Sequence, residues 1–271
     1  MVTASVVLYK NSLEECRSLL LPLISSQVHT IYLVDHSPGS QLSVLSSLSE
    51  KIQYIKHENT GYGSGHNVAF DLVYRINPNG FHIVLNPDIC ITPDAIEKLS
   101  SFLTDNPDIG CCMPIVLNFD GTDQNLYKYL PTPFELLFKR FLPKFISKHI
   151  IKRLFVELTG RKRILSVPWL SGCFMFLRVE AIQSVHGFDE RFFMYAEDID
   201  FSRRIRQKYD TVLYPFVPIV HAHKAASYHS FRMLYIHICS IIKYFNKWGW
   251  FFDRERSVIN KQTRIRNRLE A

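Results

Sequence analysis

Residues 2–35 read VTASVVLYKNSLEECRSLLLPLISSQVHTIYLVD. Residues 2–9 form an apolar, β-branched run of strand length, 13–24 carry apolar residues at helical spacing, and 30–35 are a second strand ending in Asp35 and the turn Ser37-Pro38-Gly39. A strand, a helix and a strand within 34 residues make a crossover unit, which pairs its strands in parallel. The alternation continues outward. A short helix is expected over 41–48, an edge-like strand over 53–56, a helix over 67–76 and a strand over 81–85. A helix entered through Thr92-Pro93-Asp94 follows over 95–103, and a strand over 109–117. The fold class is α/β, with a mostly parallel central sheet flanked by helices. Ligands of such sheets bind beyond the carboxyl ends of the strands, so the tips 9–11, 35–37 and 86–88 converge on one candidate site.

Residues 118–163 break the pattern with a polar turn and then a basic, apolar stretch over 134–155, expected to be helical and split by Pro143. The sheet resumes at 173–177, a helix is expected over 197–207, a strand over 211–214 and an amphipathic helix over 231–245. Two units follow: 1–227, with 131–163 as a helical insert, and a basic C-terminal helical region over 228–271.

With 47% hydrophobic and 21% charged residues the chain is an ordinary globular one, so disorder and collagen-like repeats are excluded. No apolar run is long enough to cross a bilayer, and Met1 leads straight into a strand. The expectation is therefore a chain neither secreted nor membrane-spanning. Six cysteines without CxxC spacing fit a reducing cytoplasm. The net charge of +7 is concentrated in two segments. Residues 131–163 hold 9 basic and 2 acidic groups and 228–271 hold 9 and 3, whereas 1–130 hold 7 and 13. Because the folded body is acidic or neutral, a phosphate-tracking nucleic-acid groove is excluded as the main reading. Both basic segments interleave their charges with aromatics (Phe134, Phe138, Phe141, Phe231, Trp248, Trp250, Phe251 and Phe252), a mixture suited to the anionic face of a membrane.

Four motifs carry chemistry. Gly61-Tyr62-Gly63-Ser64-Gly65-His66-Asn67 fails the dinucleotide pattern, since His66 stands where a third glycine is required. A glycine-rich loop opening a helix still brings backbone N–H groups near an anionic or sugar ligand. LNPDI, 85–89, sets Asp88 just past a buried strand, where a carboxylate needs a cap, a cation or a metal. Glu197, Asp198 and Asp200 follow an aromatic run. On a helix starting near Glu197, Glu197 and Asp200 share a face and Asp198 is turned about 100° from Glu197. His221 and His223 alternate after an apolar stretch, an arrangement compatible with a metal ligand or with satisfied core groups.

Taken in order, VVLYKN (6–11), VDHSPG (34–39), NTGYGSGHNVA (59–69), LNPDI (85–89), WLSGCFMFLR (169–178), GFDERFFMYAEDIDFSRRIR (187–206) and VHAHKAAS (220–227) resemble the family 2 glycosyltransferases of the GT-A fold, among them the rhamnosyltransferase-like enzymes. The resemblance covers roughly residues 2–227. It implies a nucleotide-sugar site with Tyr9 and Asn11 by the base and ribose, Asp35 on the base ring, and Gly61, Gly63, His66 and Asn67 lining the sugar nucleotide. Asp88 matches the metal-binding acid of the DxD motif. The first acid of that motif is Asn86 here, which leaves one charged ligand in the loop. His221 matches the histidine that completes the metal site, Asp198 the catalytic base with Glu197 beside it, and Trp169, Ser171 and Gly172 the acceptor floor.

The implied activity is inverting transfer of a sugar, rhamnose from dTDP-rhamnose, onto a surface-polysaccharide or lipid-linked saccharide acceptor, aided by Mg²⁺ or Mn²⁺. The enzyme would lie peripherally on the inner face of the cell membrane. A UDP-hexose or UDP-N-acetylhexosamine donor is the rival within the class. A nucleotide-binding subunit without chemistry is the rival outside it, and the intact Asp88, Asp198 and His221 count against that one.

Overall fold

In a computed structural model the described residues are 1–39, 41–137, 154–156, 163–222 and 231–269. The expected helices of the 134–155 insert with their split at Pro143, Phe138, Phe141 and His223 lie outside them, apart from the short piece described below.

The first half follows the alternation. β1 (Val2–Leu8), α1 (Leu13–Ser25), β2 (Val28–Asp35), a 3-10 turn (Leu42–Leu48), β3 (Ile52–Lys56), α2 (Tyr62–Ile76) and β4 (Phe81–Leu85) lead to β5 (Ile89–Cys90), α3 (Pro93–Asp105) and β6 (Ile109–Leu117). Then come β7 (Tyr127–Lys128), α4 (Pro133–Leu137), β8 (Leu165–Ser166), β9 (Trp169–Leu170), β10 (Phe174–Arg178), α5 (Val179–Ser184), α6 (Glu197–Arg206), β11 (Asp210–His221), α7 (Phe231–Trp248) and α8 (Arg254–Leu269). The main sheet runs β3-β2-β1-β4-β10-β6-β11-β5, with β8 paired to β11, and β7 and β9 form a separate two-stranded piece. β1 to β4, β6 and β11 point the same way, while β10 is inserted antiparallel between β4 and β6. The order sets the tips of β2, β1 and β4 side by side, as the crossover reading requires.

Three boundaries depart from the sequence pattern. α2 starts at Tyr62 and not at 67, so Gly63 and Gly65 lie in its first turn. Glycine costs a helix roughly 1 kcal/mol relative to alanine. What offsets it is approach: a Cβ on Gly63 would press into Phe188, and one on Gly65 into Val7 and His36. β11 continues through Pro215 and Pro218 to His221. A register shift between Tyr214 and Pro218 absorbs the missing donors, in the manner of a bulge. This extension carries His221 up to Asp88. Residues 41–48 are 3-10 and not α-helical.

The C-terminal helices pack on the body. Ile241, Tyr244, Phe245 and Ile259 share a buried cluster with Leu130, Trp169, Phe192 and Ile199, with Trp248 and Trp250 against it. Trp248 and Trp250, read from the sequence as membrane aromatics, thus turn inward. Phe231, Phe251 and Phe252 face solvent, Phe252 at 99% exposure. Among the described residues no helix is long and apolar enough to cross a membrane.

Candidate active site

The β4 tip and the end of β11 build the first part. β5 pairs antiparallel with β11, placing His221 opposite Ile89, and the Ala222 N–H donates to the Asp88 carbonyl. His221 Nε2 lies 3.2 Å from Asp88 Oδ1 and 3.5 Å from Asn86 Nδ2. Gln124 fixes the ring. Its Nε2 donates to the His221 carbonyl (2.8 Å), so its Oε1 is the atom 3.0 Å from Nδ1, and Nδ1 carries the proton. Nε2 therefore faces the Asp88 carboxylate. This is the donor set of a hard or borderline divalent cation, an oxygen and an imidazole whose other nitrogen is held by an outer amide. Among the described residues no third carboxylate, thiolate or imidazole joins them. Asn86, in place of an acid, is the reason.

The second part lies one residue along β10. The Asn86 N–H donates to the Cys173 carbonyl (2.9 Å), and neighbouring Gly172 donates its N–H to Asp198 Oδ2 (3.2 Å) and accepts from the Tyr62 hydroxyl (2.6 Å). Asp198 Oδ1 accepts from the Ile199 N–H at the start of α6. Burial pushes the Asp198 carboxyl above the ordinary range, and the Gly172 N–H pulls the other way. The result is a half-buried carboxylate that takes up a proton more readily than a free one, suited to proton acceptance. Glu197 differs. It is 6% exposed, its Oε2 has no hydrogen-bond partner among the described residues, and burial and then the Asp198 charge hold its pKa well above the usual value. Glu197 is thus enclosed and favours its proton, whereas Asp198 is the more open of the two carboxyls and is held by backbone N–H groups.

The backbone before the pair is strained. Tyr195 and Ala196 both have positive φ, 69° and 63°, a conformation that costs a non-glycine residue roughly 1–2 kcal/mol. α7 holds it in place: Ser240 Oγ donates to the Met194 carbonyl and Lys243 Nζ to the Arg191 carbonyl, each at 2.7 Å. Asp200, fully buried, receives Arg204 Nε (2.7 Å), Trp248 Nε1 (2.8 Å) and Lys247 Nζ (2.6 Å). Arg203 makes a bidentate pair with Asp253, 2.7 Å on each side, reaches Glu255 and lies over the Trp248 ring.

The remaining expected residues divide. Tyr9 is exposed at the β1 tip, and Asn11 Oδ1 accepts from its N–H (2.9 Å), shaping the turn. Asp35 is fully buried, bound by the Ser37 N–H and the Tyr54 hydroxyl, with Lys56 Nζ 3.5 Å away. Trp169, Ser171 and Gly172 do lie beside Asp198, with Lys128 Nζ 4.4 Å over the Trp169 ring. Gly63, His66 and Asn67 are engaged within the fold, Gly63 against the Phe188 ring. His66 is enclosed and bonded to Ser5 Oγ, and Asn67 spends its amide on the Phe188 backbone. A Cβ on Gly61 would collide with the Phe193 carbonyl, so this loop joins α2 to the acid loop. Tyr62, Gln124 and Lys128 were not expected. Tyr62 sat inside a quoted motif read for its glycines, His66 and Asn67, and no local pattern marks the other two.

Comparison with known proteins fits this geometry. Residues 83–250 match the sequence model of glycosyl transferase family group 2. The N-acetylglucosaminyl-diphospho-decaprenol L-rhamnosyltransferase of Mycobacterium tuberculosis is 30% identical over 146 residues, 54% of this chain and 47% of that protein. Rhamnosyltransferase WbbL of Escherichia coli K12 is 26% identical over 174 residues, 63% of each chain. The chain thus spans about half to two thirds of the length of these relatives. Among solved structures, the mannosyltransferase PcManGT from Pyrobaculum calidifontis in complex with GDP-Man and Mn2+ superposes with a TM-score of 0.62 at 14% identity, over 97% of this chain and 68% of that one. GalNAc-T7 with UDP, GalNAc and Mn2+ gives 0.61 at 11%, over 82% and 43%. These likenesses show the fold, the GT-A type. With the matched segment running from β4 through the Asp88 turn, the acid loop and α7, the chain belongs to glycosyl transferase family group 2.

Proposed function

We propose that the protein transfers a sugar, with inversion, from a nucleotide-sugar donor to a hydroxyl of a saccharide acceptor. The observation that carries this reading is one half-buried carboxylate, Asp198, held by two backbone N–H groups and separated by the Gly172–Cys173 backbone from the Asp88–His221 pair. In this reading Asp198 takes the acceptor hydroxyl proton as its oxygen bonds to the sugar C1, and the C1–O bond to the diphosphate breaks with the electron pair leaving on the nucleotide. One base suffices, unlike the two carboxylates of glycoside hydrolysis. Asp88 and His221 would hold Mg²⁺ or Mn²⁺, which neutralises the charge of the departing diphosphate. Lys128 and Trp169 present a cationic, aromatic floor to the acceptor.

The rhamnosyltransferase relatives support dTDP-rhamnose as donor and a lipid-linked saccharide as acceptor; UDP-hexoses are the alternative. Calorimetric titration of a panel of dTDP-, UDP- and GDP-sugars, with and without EDTA, tests donor and metal together. Strongest, metal-dependent binding of dTDP-rhamnose is expected, and a preference for another nucleotide sugar would replace that donor. The exposed Phe231, Phe251 and Phe252, beside the basic groups of 228–271, support reversible binding to an anionic membrane. Salt-sensitive cosedimentation with phosphatidylglycerol vesicles, lost when the three are changed to serine, is the expected outcome.

A further inference from the structure

A cavity of about 460 Å³ opens between residues 129–135 and α8, on the acceptor side of the site. It starts next to Lys128, the residue paired with Trp169 across β7 and β9. Two residues of extended chain, about 7 Å, lead from the floor beside Asp198 into it. Asn260 joins its walls, with Oδ1 accepting from the Leu130 N–H and Nδ2 donating to the Leu130 carbonyl, both 2.9 Å.

The polar lining is cationic in what it leaves over. The Arg264 guanidinium lies 4.5 Å from the centre of the Tyr129 ring and makes no ion pair among the described residues. Arg256 is nine-tenths buried. Its Nη1 donates to the Pro131 carbonyl (3.3 Å) and stands 4.0 Å from Asp253, whose two oxygens already carry the bidentate pair with Arg203. One acid, Glu135, also lines the cavity, but its Oε2 accepts from the Thr132 N–H (2.7 Å) and hydroxyl (2.8 Å) as a helix cap. Two planar guanidiniums, one pinned on an aromatic face and one buried with only the outer reach of a carboxylate that Arg203 already engages, form a receptor for an anion with several oxygens.

We propose that this cavity binds the phosphate-bearing part of the acceptor, a diphosphate joining its saccharide to a lipid. The inference rests on the lipid-linked acceptor reading above and adds to it where the linkage is held. An acceptor sugar over Trp169 and beside Asp198 would set its diphosphate one sugar's width away, at the cavity mouth, and half-exposed Phe134 at the rim suits the first apolar carbons of the lipid.

Binding without turnover tests it. The probe is farnesyl diphosphate in neutral detergent, with the donor site filled by saturating dTDP and Mg²⁺, and farnesol as the phosphate-free control. Wild type is expected to bind the diphosphate and not farnesol. Arg264→Ala, an exposed substitution that leaves melting unchanged, is expected to weaken binding about tenfold, whereas Lys261→Ala, equal in charge change on the same helix but outside the cavity, shifts it less than twofold. No binding by wild type, equal binding by Arg264→Ala, or an equal loss with Lys261→Ala would overturn the proposal. So would an Arg264→Ala defect seen only on phosphatidylglycerol vesicles, which would assign the arginine to lipid headgroups. Because no sugar transfer is read, a failure here is distinct from failure of the donor panel, which tests the activity itself.

Discussion

At the tips of β1 and β2 polar contacts are made by near neighbours. Tyr9 to Asn11 and Ser37 to Asp35 span two residues, Tyr54 to Asp35 19, and Lys10 to Ser37 27. At the loop that carries Asp198 the reach is longer. Met194 is held from Ser240, Asp200 from Trp248, Arg203 from Asp253 and Glu255, over 46 to 52 residues. One side of the cleft is shaped by strand ends and turns that any crossover sheet supplies. The other side exists because two C-terminal helices grip α6 through buried charge. The C-terminal region therefore holds the loop that carries Asp198, and its tryptophans face inward while Phe251 and Phe252 face solvent.

The comparison breaks most readily at the grip. Asp253→Ala leaves Arg203 buried without its bidentate partner, with Glu255 as its remaining carboxylate. Such a loss costs about 3–5 kcal/mol, so chemical denaturation is expected to show destabilisation of that order together with lost turnover. A variant as stable as wild type would mean that the C-terminal helices are mere passengers. Gly61→Ala strikes where the two sides meet. It combines a φ of 126° with a collision against the Phe193 carbonyl, and about 2 kcal/mol of stability is expected to go, visible as a lower melting temperature.

Changes on the strand-tip side should spare the fold. Asp88→Ala is expected to weaken metal-dependent nucleotide binding about tenfold in calorimetry while melting without ligand moves little. Unfolding by this substitution would erase the distinction between the two sides.

The smallest effect sharpens the split within the acid pair. Glu197 has its folded pKa raised, so the folded state holds a proton that the unfolded chain releases. Stability from that carboxyl is full below its unfolded pKa and falls as pH rises toward the folded one. Glu197→Gln removes the penalty, and its melting temperature is expected to exceed that of wild type by more at pH 8 than at pH 5.

The strand-tip side was legible because its signals are local. Apolar runs, turn residues and the LNPDI stretch fixed β1, β2, β4 and the place of Asp88, and the ordered motifs put Asp198 at the head of a helix. What escaped depended on distance or on close approach. Pro215 and Pro218 read as the end of a strand, because nothing nearby announces the bulge that carries β11 on to His221. The close approach at Gly61 and Gly63 escaped, since a collision with Phe193 or Phe188 can be seen only once α2 and the acid loop are packed. Gln124, 97 residues from His221, has no periodicity to mark it. The Trp248 and Lys247 contacts of Asp200, 48 and 47 residues away, likewise leave no local mark.

The central claim is that Asp198 alone is the base. Single-turnover transfer measured side by side for Asp198→Asn and Glu197→Gln, with donor affinity followed by calorimetry, tests it most directly. Asp198→Asn keeps size and one of the two backbone hydrogen bonds while removing basicity, so the transfer rate is expected to fall by about 10²-fold or more with donor affinity nearly unchanged, while Glu197→Gln stays within a few-fold of wild type. A near-normal rate for Asp198→Asn, or the large loss falling on Glu197→Gln, would contradict the account.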